Sequence, residues 1–371
     1  MSNDTALSPS PPCESWLERA RQANDAHQAL EALRCAEQAE QCSEAIAEPD
    51  RRTRLGAEAA RLQALAGWAL GRHALAYACA MRARARLNAG DDVDGVVAML
   101  TLAALAACTV GLPDDALPLA VEATELAAAT PALFKALPSA LGTLAHVHAA
   151  LGQVEQAELL HLQALSRARE AGDGQTLVRA YANALLAGAL AHDSLQDQGH
   201  EAQAQALAQR QLKLVFQARP HLDEPFMSER QKIVLRLNSA ICLMQAGRLD
   251  EADGLLSQSM QMLGRVENDS LADSLHHACA ELSLRRDHLA EAQALLAPLL
   301  STGGLDASPF LQEPVLHTAL RLYQRLGDAA RVDQLNKRLQ RLKQDLKEQR
   351  EQAASELRSA QARVLQALHK A

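Results

Sequence analysis

Apolar and small residues recur along this chain with the three-and-four spacing of one helical face, and the strict alternation of a half-buried strand is scarce. In LGTLAHVHAALGQVEQAELLHLQALSRAREAGD two such runs meet at Gly152, with Ala157 and Ala164 following in the next run. The same phrase returns at Gly111, Ala116 and Ala123, at Gly71 and Ala76, and earlier with Ala29 and Ala36. Downstream it returns at Gly247, Ala252 and Ser259, at Asp287 and Ala292, and at Gly327, where Val332 takes the alanine slot. Ala76, Ala116 and Ala157, then Ala252, Ala292 and Val332, lie about 40 residues apart, a period that marks a solenoid of helix pairs. Ala204, in GHEAQAQALAQRQL, divides the longer gap between Ala157 and Ala252 and predicts one looser repeat there. The physics of the phrase is simple. Small residues are needed where two paired helices cross closely, and a glycine accepts the left-handed turn that ends the first helix.

These residues resemble the tetratricopeptide family. Small side chains fall on that motif's conserved small slots at Ala145, Ala157 and Ala164, with Leu144 in its leucine slot. Ala240, Gly247, Ala252 and Ser259 match again, and Tyr323 takes the tyrosine slot of the last unit. The tryptophan slot is mostly Leu or Ala, the closing proline is generally missing, and the period exceeds the family's usual 34, which implies longer helices. The resemblance implies an all-α fold: a right-handed α-solenoid of about eight tetratricopeptide-like helix pairs. Ala-rich phrases such as ARLQALAGWALGRHALA and DEPFMSERQ, with AGRLDEADGLL beyond, also look like the N-terminal sensory halves of bacterial GGDEF diguanylate cyclases. The chain carries no such cyclase domain, and GGLD at Gly303–Asp306 reads as a turn between helices.

After Gly327 no Gly or Pro interrupts the chain, so one long helix is predicted to its end. Leu335, Leu339, Leu342, Leu346, Leu357 and Val364 step along it mostly by threes and fours, with Gln349, Ala353, Ala360 and Ala367 between and beyond them. This spacing predicts a coiled-coil seam and a homodimer through the C-terminal helix; the competing expectation is that the same leucines fold back on the last repeat. The expected division is a leader over 1–15, a repeat array over 16–331 and the coiled-coil helix over 332–371.

Composition adjusts the picture. Aromatic residues make up only 2% of the 371 residues, which agrees with an Ala- and Leu-rich helical chain. A net charge of -8 argues against a broad phosphate-binding surface, so no nucleic-acid partner is expected. The N-terminus lacks a basic segment followed by an apolar run, and the uncharged stretch Val96–Pro113 is Ala-rich with Thr101, Thr109 and Gly111. It reads as a helix buried in the array, so no membrane partner and a cytoplasmic location are expected. Seven cysteines, without a CxxC pair, form neither a disulfide framework nor a zinc spacing.

Catalytic signatures such as GxGxxG after a strand, a phosphate-loop lysine, GxSxG and HExxH are missing, so no enzyme and no cofactor are expected. His146 and His148 point about 200° apart on a helix and cannot share a metal unaided, and the adjacent His276 and His277 diverge likewise. In the tetratricopeptide family the first helix of each pair lines the concave surface. Counting back from the turn slots, the resemblance places Thr143, His146, Asn238, Gln245, His277, Glu281, His317 and Arg321 there, with Asn183 beside them. Asn238 takes the place of an asparagine that bonds an extended peptide in that family. The function expected is a non-enzymatic sensor or adaptor that binds a protein, peptide or small ligand. The alternatives are the sensory half of a truncated cyclase and, below it, a transcriptional regulator without its DNA-binding domain.

Overall fold

The computed structural model describes the backbone of residues 13–26, 28–87, 92–264, 269–301 and 311–370, and their side chains except at 269–270 and 363–370. Among them there are sixteen α-helices and no strand. They are α1 (Cys13–Asp25), α2 (Ala29–Glu44), α3 (Pro49–Ala69), α4 (His73–Arg86), α5 (Val93–Thr109), α6 (Pro113–Ala129), α7 (Leu137–Ala150) and α8 (Val154–Ala171). Then follow α9 (Gly174–Asp197), α10 (Glu201–Ala218), α11 (Glu229–Gln245), α12 (Leu249–Leu263), α13 (Asp269–Arg285), α14 (Leu289–Leu300), α15 (Gln312–Arg325) and α16 (Ala329–Lys370). The expected GGLD turn lies outside the described residues.

The turn slot read from the sequence is the joint between each odd helix and the next even one. Gly71, Gly111, Gly152, Gly199, Gly247 and Gly327 all have positive φ, between 68° and 83°, and Asp287 holds the same place at 63°. Each is closed by a turn bond that reaches back five residues, for example Arg72 N to Gly67 O at 2.8 Å and Arg248 N to Leu243 O at 2.8 Å, which satisfies a carbonyl orphaned by the helix end. Gly199 carries the same geometry, with His200 N bonding Leu195 O at 2.8 Å, so the looser repeat around Ala204 is in register. Its length comes from α9, which runs 24 residues. One register needs correction. The bond from Gln28 N to Ala23 O at 2.8 Å sets the first small slot at Ala32, which is fully buried, whereas Ala29 is half-buried.

The small slots do what close crossing requires. Ala76, Ala116, Ala252 and Ala292 have no exposed surface, and Ala157 and Ala204 almost none. Ser259 is also sealed and returns its hydroxyl proton to Leu255 O at 2.8 Å.

The chain divides into two compact units. The first comprises residues 1–153 together with 350–371. There α1 to α7 pack in succession, and the odd helices α1, α3, α5 and α7 also touch in order. Its core is rich in alanine and cysteine, with Cys13, Leu17, Cys35, Ala36, Ala39, Ala59 and Leu62 in one cluster. The second unit comprises residues 154–349. In it α9, α11, α13 and α15 form the same row of first helices, around Tyr181, Leu185, Leu214, Ile233, Leu243, Leu256 and Leu275. Ser228 and Gln231 form a reciprocal capping box that starts α11. No described helix is long and apolar enough to cross a membrane.

The C-terminal helix corrects the expected seam. Leu335 and Leu339 are buried with Leu316, Leu320 and Tyr323 in the core of the last repeat, with Leu342 packed at its edge. Leu357 is fully buried, with Ala354 and Ala360 also buried, in the segment that belongs to the first unit, where Gln361 approaches Tyr77. Leu346 is half-buried, and the Val364 side chain lies outside the described residues. The leucines regular enough to suggest a dimer are spent within one chain, because the exposed faces of the last helices offered them apolar surface at no cost in association entropy. The helix also begins at Ala329, as the second helix of the last pair, so 332 is not a boundary between array and coiled coil.

Candidate functional site

The row of first helices in the second unit concentrates the polar side chains. Position relative to the turn residue sorts most of them into buried and accessible. Nine residues before the turn stand Thr143, Asn238 and Thr318, and all three are buried. Six before it stand His146, Asp193 and Arg321, which are exposed, and Glu281, which is nearly closed off. A three-residue step on a helix turns a side chain about 60°, enough to carry it from the contact between helices to the open face. Thr143 and Asn238, expected on the ligand-facing surface, are therefore corrected to interior positions. Asn238 donates its amide to Ala182 O at 2.9 Å, the previous first helix taking the bond expected for a peptide.

Two before the turn stand Gln245, Arg285 and Arg325. Each reaches back to a carbonyl on the preceding first helix: Gln245 Nε2 to Ala189 O at 3.1 Å, Arg285 Nη1 to Met244 O at 2.9 Å and Arg325 Nη1 to Leu284 O at 2.7 Å. Gln245 also donates to Asp193 Oδ1 at 2.8 Å. Met244 and Leu284 lie in last turns, where their carbonyls otherwise accept only the turn N–H groups of Gly247 and Asp287, so these long side chains add to the cap of one helix while fixing the next. Arg285, Arg325, Thr318 and Asp193 were not singled out from the sequence. The signal was present, since 245, 285 and 325 occupy one slot of the repeat.

Glu281 is the centre of a network between α13 and α15. Its carboxylate accepts from Arg321 Nη1 at 3.1 Å and Nη2 at 2.5 Å, from Arg285 Nε at 2.8 Å and from the Thr318 hydroxyl at 3.2 Å. Because that hydroxyl proton is committed to Glu281, Thr318 Oγ1 accepts from His277 Nε2 at 3.0 Å. Burial works to raise the Glu281 carboxyl, but the guanidiniums of Arg321 and Arg285 outweigh it and hold it below the usual carboxylate range. Burial pushes the His277 imidazole below its ordinary range, with Arg321 adding to the effect and Glu281 opposing it. His277 is half-buried and Glu281 nearly closed off, whereas His317 and Arg321 are open to solvent. Of the other expected residues, Asn183 is exposed on α9, and His146 is exposed on α7 in the first unit. The structure thus brings His277, Glu281 and Arg321 together and leaves Asn183 and His317 outside that network.

Cysteine chemistry is suppressed by the same Ala-rich packing. Burial pushes the thiols of Cys79, Cys108 and Cys279 up to about 11 and that of Cys242 to about 12, so they are not thiolates at neutral pH.

No described protein family and no curated protein matches the sequence. Solved structures do match in fold. The Rap conjugation gene regulator of the plasmid pLS20, in complex with the Phr* peptide, is 12% identical with a TM-score of 0.57, over 92% of this chain and 98% of that one. A Rap protein complexed with competence and sporulation factor is 15% identical with a TM-score of 0.54, over 92% of this chain and 100% of that one. Aspartyl phosphate phosphatase F from Bacillus subtilis is 12% identical with a TM-score of 0.51, over 93% and 96% of the two chains. These similarities support the tetratricopeptide-like helical array and lend nothing to the narrower likeness to GGDEF sensory halves.

Proposed function

We propose that this chain is a non-enzymatic regulator that binds an extended peptide or protein segment on the first-helix face of residues 154–349. The observation that carries the reading is the row of α9, α11, α13 and α15 in contact with one another, which carries outward polar side chains such as Asn183 and Asp193 on α9 and His317 and Arg321 on α15, with the nearly closed-off Glu281 of α13 bonded to Arg321. An extended chain presents donors and acceptors at regular intervals and suits such a row, as solenoid surfaces generally do. Exposed Leu186 and Leu190 on α9 add an apolar stretch beside Asn183. Two of the structurally similar proteins were solved with a peptide or factor bound, which supports the same class of ligand here. The high thiol pKa values remove the cysteines named above as nucleophiles, in keeping with binding rather than catalysis.

Immobilised protein exposed to a cell extract, washed and eluted by denaturation, tests the reading by mass spectrometry of what is retained. Peptides or one protein should be enriched on the native chain and lost on His317→Ala with Asn183→Ala and Leu190→Asp, three exposed changes that leave helicity intact. Equal retention by the folded triple variant would overturn the assignment to this face.

A further inference from the structure

Arg285 and Arg321 are held by the protein without being used up by it. Glu281 takes two N–H groups of Arg321 and one of Arg285, and Met244 O takes another from Arg285. Arg321 also donates to Thr318 Oγ1 at 3.3 Å, and a guanidinium has five N–H donors, so Arg321 keeps two and Arg285 three with no partner among the described residues. The Arg321 and Arg285 side chains are 50% and 30% exposed, which leaves those donors within reach of a ligand, while the carboxylate that positions them is only 11% exposed. Charge is also left over: two guanidiniums face one carboxylate. The neighbouring Arg325 does not add to the excess, because Asp287 lies 3.6 Å from it.

We propose that Arg285 and Arg321, pinned by Glu281, form a receptor for a single carboxylate of the bound peptide or protein segment. Pinning matters because an arginine normally loses side-chain freedom when it grips an anion, and here folding has already imposed that loss. One surplus positive charge matches a carboxylate and under-compensates a phosphate dianion. The carboxylate comes from a free C-terminus or from an Asp or Glu side chain. This inference rests on the peptide-binding reading and assigns it a ligand chemistry and one end of the binding register.

The test is affinity selection on the full-length protein from two random heptapeptide pools, one with free C-termini and one amidated, analysed by mass spectrometry. Retention confined to the free-acid pool identifies a terminal carboxylate, and retention of amidated peptides enriched in Asp or Glu identifies a side chain; both support the receptor. In either case Arg321→Gln should lower retention at least tenfold, and raising salt should weaken it. Since Arg321→Gln strips a partner from buried Glu281, the triple change Arg285→Gln, Glu281→Gln and Arg321→Gln, which removes both guanidiniums together with the carboxylate between them, serves as the folded control and should lose retention equally. Retention without acidic preference, unchanged in both variants, would overturn the receptor while leaving peptide binding standing. Retention of nothing by the native chain from either pool would overturn both.

Discussion

At the scale of single residues, the turn slot and the small slot carry the most weight. Gly247 sits at φ 76°, where a Cβ is penalised whatever the surrounding space, so Gly247→Ala should cost about 1 to 2 kcal/mol. Asp287 already bears that strain at 63°. Asp287→Gly should therefore raise the urea midpoint, losing in exchange only an exposed ion pair with Arg325 worth at most about 1 kcal/mol. In the small slot, Ala252 has no exposed surface, and Ala252→Leu should overpack α11 against α12 at a cost of about 1 to 3 kcal/mol, read as a lower melting temperature. An unchanged melt would refute the close crossing. The buried titrating groups set a pH dependence. His277 and His73 are both held below their ordinary range by burial, so below about pH 6.5 the unfolded chain takes up protons that the folded chain refuses, and stability falls with pH. Glu281, held low, contributes stability above the carboxylate range and loses it only in stronger acid. Urea midpoints should drop between pH 7.5 and 5.5, and His277→Gln should flatten that drop.

At the scale of elements, α16 is the informative case. Its first turns complete the last repeat through Leu335 and Leu339, and its later turns bury Ala354, Leu357 and Ala360 in the first unit. Between them, residues 343–352 are almost wholly exposed and supported by local pairs such as Gln344 with Glu348 at 2.5 Å. A helix that is polar all round is stabilised by its ends and by such pairs rather than by packing of its own. Leu339→Ala should therefore cost about 2 to 5 kcal/mol, the usual loss for a buried leucine. Leu346→Ala, at a half-buried position outside the core clusters, should cost markedly less. A dimer seam would reverse the logic, making both changes concentration-dependent. Light scattering of the full chain at tens of micromolar should return a monomer mass.

At the scale of the whole molecule, the two units do not follow the order of the chain: residues 350–371 belong with residues 1–153, although the 196 intervening positions, 154–349, form a unit of their own. Ending the chain at Gln349 should accordingly raise amide hydrogen exchange around Tyr77 in α4 while leaving α11 and α13 protected. Increased exchange in α11 and α13 instead would show that the C-terminal segment supports the wrong unit.

What the sequence by itself determined is local and periodic. The odd-to-even turns follow from glycine's access to positive φ, and the small slots from the geometry of close helix crossing; both are written residue by residue, so Gly71, Ala76, Gly247 and Ala252 could be read directly. The face on which polar residues gather was also legible, since helical spacing alone brings His277, Glu281 and Arg285 to one side of α13. The tertiary structure decided which of those residues are free. Asn238 looked like a peptide donor and is committed to Ala182 O, because a neighbouring helix reached it first. Arg321, expected on the ligand-facing surface, and Arg285, which the sequence reading passed over, are joined by Glu281. The seam of α16 carried apolar spacing that fits a partner helix or its own array equally well. Periodicity states that a face must be buried; only the folded chain, with its own apolar surfaces already nearby, determines what buries it.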